Sequence, residues 1–144
     1  MEKELFVTSR GIIYHDEKIL LVKHDESLDY FALPGGHIEW AEDPKDCIER
    51  EIIEELGVKP EIGRLLYVNS FVKDQKHAIE FFFEIINVED YLDTKKLKNS
   101  THGHEIFEIK WVGKNDGIKI LPKGISEDFL SGNLLADNVR FLKD

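Results

Sequence analysis

The chain has 144 residues, 42% hydrophobic and 10% aromatic, with a formal net charge of −10. That length supports one domain with a real core, and no run approaches the ~20 apolar residues of a membrane span. The acidic balance counts against loose electrostatic binding of nucleic acid, which needs basic surface, but not against an anionic small molecule bridged to the protein by a divalent cation.

Taken in chain order, the N-terminal MEKELFVTSRG lacks the cationic-then-apolar layout of a signal peptide. Leu5 to Tyr14 and Lys18 to Lys23 read as two strands, with HDE between them as a turn. YFALPGG reads as a short strand stopped by Pro34, Gly35 and Gly36. Pro44 to Leu56 reads as a helix: Asp43 suits the N-cap, Pro44 the first helical position and Gly57 the stop. The single cysteine, Cys47, lies in this helix; it precludes an internal disulfide and suits a reducing compartment. Arg64 to Lys73 and His77 to Asn87 read as a hairpin across DQK. YLDTKKLKNSTHG reads as an exposed connection holding one helical turn, and Glu105 to Val112 as a further strand. Leu130, Leu134, Leu135, Val139 and Leu142 fall at roughly helical spacing, which predicts a C-terminal helix over Glu127 to Leu142; Gly132 inside it suggests a start only after that glycine. The expectation is a single α/β domain over residues 1–144, cytoplasmic, with a mixed sheet sandwiched between helices.

The segment from Gly35 to Val58 packs eight carboxylates among two cations, Lys45 and Arg50. On a helix of about 100° per residue, Ile48, Ile52 and Leu56 form an apolar stripe that Ile53 widens, while Glu51, Glu54 and Glu55 share a different face beside Arg50. Like charges at i,i+4 destabilise a solvated helix by about 0.2–0.5 kcal/mol per pair, and partial burial raises that cost. A hard divalent cation reverses the sign, because clustered oxygen ligands are what Mg²⁺ or Mn²⁺ selects. Gly35 and Gly36 ahead of the helix allow close approach of backbone to a ligand. A solvated acidic face is the competing reading of the helix by itself.

Spacing decides between the two. From Gly36 there follow five residues, Glu42, seven residues, and then Arg50-Glu51-Ile52-Ile53-Glu54-Glu55-Leu56-Gly57-Val58. This resembles the box of the Nudix (MutT-like) hydrolases, G, five residues, E, seven residues, R-E-U-x-E-E-x-G-U, with U aliphatic, at every specified position. KILLVK before it and FEIKWV after it also look like Nudix strands, so the resemblance runs from about Val7 to Val112, with only the box highly specific.

The resemblance implies an α/β/α sandwich and metal-assisted hydrolysis of the diphosphate in a nucleoside diphosphate linked to another group. It places the Gly36 carbonyl and Glu51, Glu54 and Glu55 at the divalent-metal positions, Arg50 as the arginine that orients neighbouring glutamates, and Glu42 in a supporting role. The family often adds a carboxylate from outside the box; Glu105 is the first choice, with Glu108 and Glu80 as alternatives. Glu51, Glu54 and Glu105 all remain open as general base.

Tyr30, Phe31 and Trp40 flank the motif and are candidates to stack on a base or cap a pocket, against core packing as the commoner fate of such rings. His37 is a candidate phosphate contact, against the reading of an exposed loop histidine. Phe81, Phe82 and Phe83 must face both sides of a sheet, so some of them are core. Nothing near Cys47 suggests an activated nucleophile. The competing functions are a nucleotide-ligand sensor and an RNA 5′-end pyrophosphohydrolase. The complete glutamate set opposes the first; the acidic charge and absence of a basic stripe oppose the second, which a local patch such as Lys95, Lys96 and Lys98 would serve. A small nucleotide is the expected partner, and a homodimer follows from resemblance alone.

Overall fold

The computed structural model describes residues 2–97, 106 and 108–144. Among the described residues, eight strands form two sheets. One has five strands in the order β4 (Gly35–His37), β1 (Glu4–Ile12), β6 (Lys76–Ile85), β5 (Ile62–Lys73), β8 (Arg140–Lys143); the other has three in the order β2 (Tyr14–His15), β3 (Lys18–Lys23), β7 (Glu108–Gly113). The five-stranded sheet is mixed: β1–β6 and β5–β8 run parallel, β1–β4 and β5–β6 antiparallel.

The apolar runs explain the layering. Ile19, Leu20, Leu21 and Val22 of β3 are all fully buried, so both faces of this strand must be covered. Ile19 and Leu21 join one core with Ile12, Tyr67 and Phe82, closed by Ile125 and Phe129 of α3 (Lys123–Ser131). Leu20 and Val22 join a second core with Phe83 and Ile85, closed by Ile48, Ile52 and Leu56 of α1 (Pro44–Leu56). The result is the expected α/β/α sandwich, with the three phenylalanines shared between faces: Phe82 lies in the first core, and Phe83, with Phe81 against it, in the second.

Helix α1 spans the predicted residues. The Asp43 side chain accepts from the Lys45 N–H, Pro44 occupies the first position, and Gly57 ends the helix in the left-handed region at φ 77°. Ile53, expected to widen the apolar stripe, is 38% exposed and stays outside the core.

Three expectations are corrected. Leu5 to Tyr14 is not one strand of a hairpin: β1 stops at Ile12, and only the two-residue β2 pairs with β3, across Asp16 and Glu17 at positive φ. The YFALPGG segment makes isolated bridges at Phe31 and Ala32, and Gly35 and Gly36 begin β4 rather than ending a strand. The connection after β6 holds the expected single helical turn, the four-residue α2 (Thr94–Leu97), preceded by a 3₁₀ turn at Val88–Tyr91, with Tyr91 and Leu97 buried. The C-terminal helix spans Lys123–Ser131 and ends at Gly132 in the left-handed region (φ 80°), so Gly132 stops it rather than preceding it; Arg140–Lys143 is a strand. Leu142 fits both patterns, because an alternating strand also turns every second residue inward, here against the first core.

Candidate active site

Edge strand β4 and the C-terminal half of α1 build the site, with Glu42 just ahead of the helix. Gly35 adopts φ 145°, and a side chain there would put its Cβ 2.2 Å from the Ser9 carbonyl oxygen, so only glycine fits. At Gly36 a Cβ would meet the Glu51 carboxyl carbon at 2.6 Å; the missing side chain is the space that carboxylate occupies. The Ser9 hydroxyl donates to the Pro44 carbonyl at 2.8 Å, tying the first turn of α1 to β1.

Arg50 gathers the carboxylates. Its Nε and Nη2 grip Glu42 at 2.8 and 3.0 Å, a bidentate pair. Nη1 reaches Glu51 at 3.0 Å and Glu54 at 3.4 Å, and Nη2 also donates to the His37 carbonyl at 3.1 Å. The Arg50 hydrogen bonds hold the Glu42 carboxyl down at about 2, and the pairing with Glu42 in turn raises the guanidinium pKa. Glu51 goes the other way: burial, then the charge of Glu55, pushes its carboxyl up despite Arg50. Glu55 is 6% exposed; it accepts the Gly35 N–H at 2.7 Å and meets His24 Nε2 at 2.7 Å. Cys47 lies buried beneath the loop with its thiol toward the His37 carbonyl at 3.5 Å, and burial pushes that thiol up to about 12. No activated thiolate results.

Among the described residues, the carboxylates of this cluster share one guanidinium. Arg50 lies within ion-pair distance of Glu39, Glu42, Glu51 and Glu54. Among the described residues no three histidine, cysteine, aspartate or glutamate side chains stand together as a ready cage for a metal ion; the guanidinium occupies the position of counter-charge between Glu51 and Glu54. The donors nevertheless suit a hard divalent cation: they are carboxylate and carbonyl oxygens, and the upward push on Glu51 by burial and Glu55 is a cost that a cation removes.

The remaining predicted residues fall as follows. Trp40 is 96% exposed, whereas Phe31 is packed in the first core with Lys23 Nζ 5.6 Å from its ring centroid. Tyr30 is half-buried. The exposed His37 ring rests on Phe6 with centroids 4.8 Å apart. Glu105 lies outside the described residues. Glu108 opens β7, paired with Lys23 of β3. Glu80 sits two strands in from β4, where Asn69 and Thr8 donate to it at 3.0 and 3.3 Å and Arg10 lies 3.6 Å away. His24 is the residue that sequence reasoning missed. It follows an ordinary apolar strand, and its partner lies 31 positions away.

A glycine-led edge strand, a capped acidic helix and an arginine that organises its glutamates together define a Nudix domain. The NUDIX domain family model matches residues 5–128, and the chain belongs to the Nudix (MutT-like) hydrolase family. Among curated relatives it is 32% identical over 108 residues to diphosphoinositol polyphosphate phosphohydrolase 3-alpha of Mus musculus, covering 74% of this chain and 61% of that protein. It is 31% identical over the same shares to the 3-beta protein of Homo sapiens. The matched region thus spans less than two thirds of these relatives. A solved UDP-X diphosphatase has the same fold, with TM-score 0.72 and 23% identity, over 99% of this chain and 68% of that one. The Escherichia coli ORF135 protein follows at TM-score 0.67 and 18% identity, over 94% and 96%. Among the described residues no helix is long and apolar enough to cross a membrane.

Proposed function

We propose that the chain hydrolyses the diphosphate linkage of a nucleoside diphosphate joined to a further group, with Mg²⁺ or Mn²⁺ held by the Gly36 carbonyl, Glu51, Glu54 and Glu55. The observation that carries this reading is the fit of Glu51 against Gly36, beside Glu54 and Glu55, in a site with one guanidinium among its carboxylates. When bound, such a cation neutralises phosphate charge and acidifies water.

The chain's own residues do the rest. Glu42 fixes Arg50, and Arg50 holds Glu51 and Glu54 in reach of the diphosphate. Either glutamate takes the proton of the attacking water, a contribution typically worth about 10²–10⁴ in rate. Glu105 stays a candidate for the same step. Attack at one phosphorus breaks the bridging P–O bond and leaves a nucleoside monophosphate and the phosphorylated remainder. Exposed Trp40 and His37, with half-buried Tyr30, are offered as contacts for the rest of the substrate, while the position of Phe31 in the core suits support of that wall.

A second reading is favoured by the curated relatives: a diphosphate on a polyphosphorylated, non-nucleotide carrier. The net charge of −10 opposes so dense an anion. The test is a hydrolysis panel with Mg²⁺ and with Mn²⁺, products resolved chromatographically. It holds nucleoside triphosphates, nucleotide sugars, ADP-ribose, dinucleotides, a diphosphoinositol polyphosphate and a 5′-triphosphorylated RNA. Metal-dependent release of a nucleoside monophosphate is the expected result. Cleavage confined to the inositol compound establishes the second reading, and tight binding without cleavage replaces both with a sensor.

A further inference from the structure

His24 stands outside the box and outside the arginine cluster, yet it holds one of the box glutamates. We propose that His24 is a positioning residue for the cation-binding carboxylates, acting through Glu55. The inference rests on the metal reading given above and adds to it a residue that neither the box nor the helix supplies.

Glu55 joins three elements. It sits one residue from the end of α1, its Oε1 accepts the N–H of Gly35 at the start of β4, and its Oε2 lies 2.7 Å from Nε2 of His24, just past β3. An ionised carboxylate only accepts hydrogen bonds, so in this pair Nε2 carries the proton and donates. Both carboxylate oxygens are thus held, Oε1 by the Gly35 N–H and Oε2 by His24, and a carboxylate oxygen that accepts a hydrogen bond can still ligate a cation.

One hydrogen bond anchors one oxygen but leaves the carboxylate free to rotate about that anchor. Two bonds, from donors on separate elements, fix the plane. The Gly35 donor is rigid, because its backbone is wedged against Ser9 and Arg10. The His24 donor is the adjustable half of the grip: its side chain is 40% exposed, against 7% for that of Glu55. His24 can therefore be replaced without opening the core, while the carboxylate it orients is buried. Gly36 follows Gly35 directly, so the same grip also steadies the backbone that presents the Gly36 carbonyl. A histidine N–H on an oxygen ligand is the kind of outer contact whose loss typically weakens metal binding by about 10–100-fold.

The experiment measures Mn²⁺ binding to the full chain by loss of the free-ion paramagnetic resonance signal. It uses wild type, His24→Ala, His24→Gln, Glu55→Gln and the double variant His24→Ala/Glu55→Gln, with thermal melting of each. The expected result is a Kd for Mn²⁺ raised about 10-fold in His24→Ala. His24→Gln, whose amide N–H reaches the same oxygen, recovers most of the affinity. In the Glu55→Gln background, His24→Ala adds no further loss. A merely structural histidine would move the melting temperature, not the glutamine rescue or the non-additivity. Wild-type binding with unchanged affinity in His24→Ala, or an equal loss with and without Glu55, overturns the inference alone. A wild type that binds no Mn²⁺ removes the metal reading and this inference with it.

Discussion

Arg50 and Arg140 each act as a hub in this molecule, and they differ in charge balance. Arg140 pairs with Asp128, donates to the carbonyls of Asn133 and Leu134, and stacks over Tyr67 with its guanidinium carbon 4.4 Å from the ring centroid. The Tyr67 hydroxyl completes the group by donating to Asp128 at 2.7 Å. One carboxylate meets one guanidinium, and the other acceptors are backbone carbonyls of a loop that must be held. Arg50 instead stands among four carboxylates. A hub whose charges balance closes a structure. A hub left short of positive charge, with a glycine keeping space for one of its carboxylates, costs stability unless a cation joins it. That imbalance marks the Arg50 end as the site of chemistry.

The largest effect that would sharpen this contrast is at Gly36. An added methyl stands 2.6 Å from the Glu51 carboxyl carbon, so Glu51 must move. Gly36→Ala is expected to lower turnover by about 10², the scale associated with an ångström of misplacement, while circular dichroism stays that of the wild type.

The two hubs can then be compared directly. Lysine cannot grip Glu42 with two donors while reaching Glu51 and Glu54. Arg50→Lys is therefore expected to lose activity about 10–10²-fold and roughly 1–2 kcal/mol of stability. Arg140→Lys is expected to lose a similar roughly 1–2 kcal/mol in a denaturant titration with kcat/KM unchanged. Equal activity losses in the two variants would break the comparison.

A smaller effect lies in acid. The carboxyl of Glu42 is held at about 2 in the folded chain, against an ordinary value of 4.5, mainly by its hydrogen bonds from Arg50. Protonation therefore favours the unfolded chain. The stabilisation is present above the ordinary value and is lost as pH falls from about 4.5 towards 2. Glu42→Gln should flatten the stability profile across that window and leave it parallel to wild type at neutral pH, as read by denaturant midpoints at a series of pH values.

What sequence could reveal follows from how local each feature is. The box, the Asp43 cap and the Gly57 stop are fixed by neighbours within one helix, so spacing sufficed to place α1 and the Arg50 cluster. The C-terminal strand was hidden because four residues, Arg140 to Lys143, acquire their conformation from Tyr67 to Ser70, some 73 positions earlier. Gly132 stands inside the apolar pattern, but its role as a left-handed stop depends on a backbone angle that sequence does not state. The same distance concealed His24, whose meaning comes only from Glu55 across the sheet. The aromatics were ambiguous for another reason: Phe31 and Trp40 carry similar local signals, yet one is 9% exposed and the other 96%.

The most direct test of the central claim follows hydrolysis of the panel's best diphosphate substrate by wild type and Glu54→Gln, after EDTA treatment and again on return of Mg²⁺. Turnover that appears in the wild type only with Mg²⁺, and falls by about 10² or more in the folded variant, is the predicted result. Metal-independent turnover, or near-wild-type turnover in Glu54→Gln, would contradict the assignment of the charge-deficient hub as the active site.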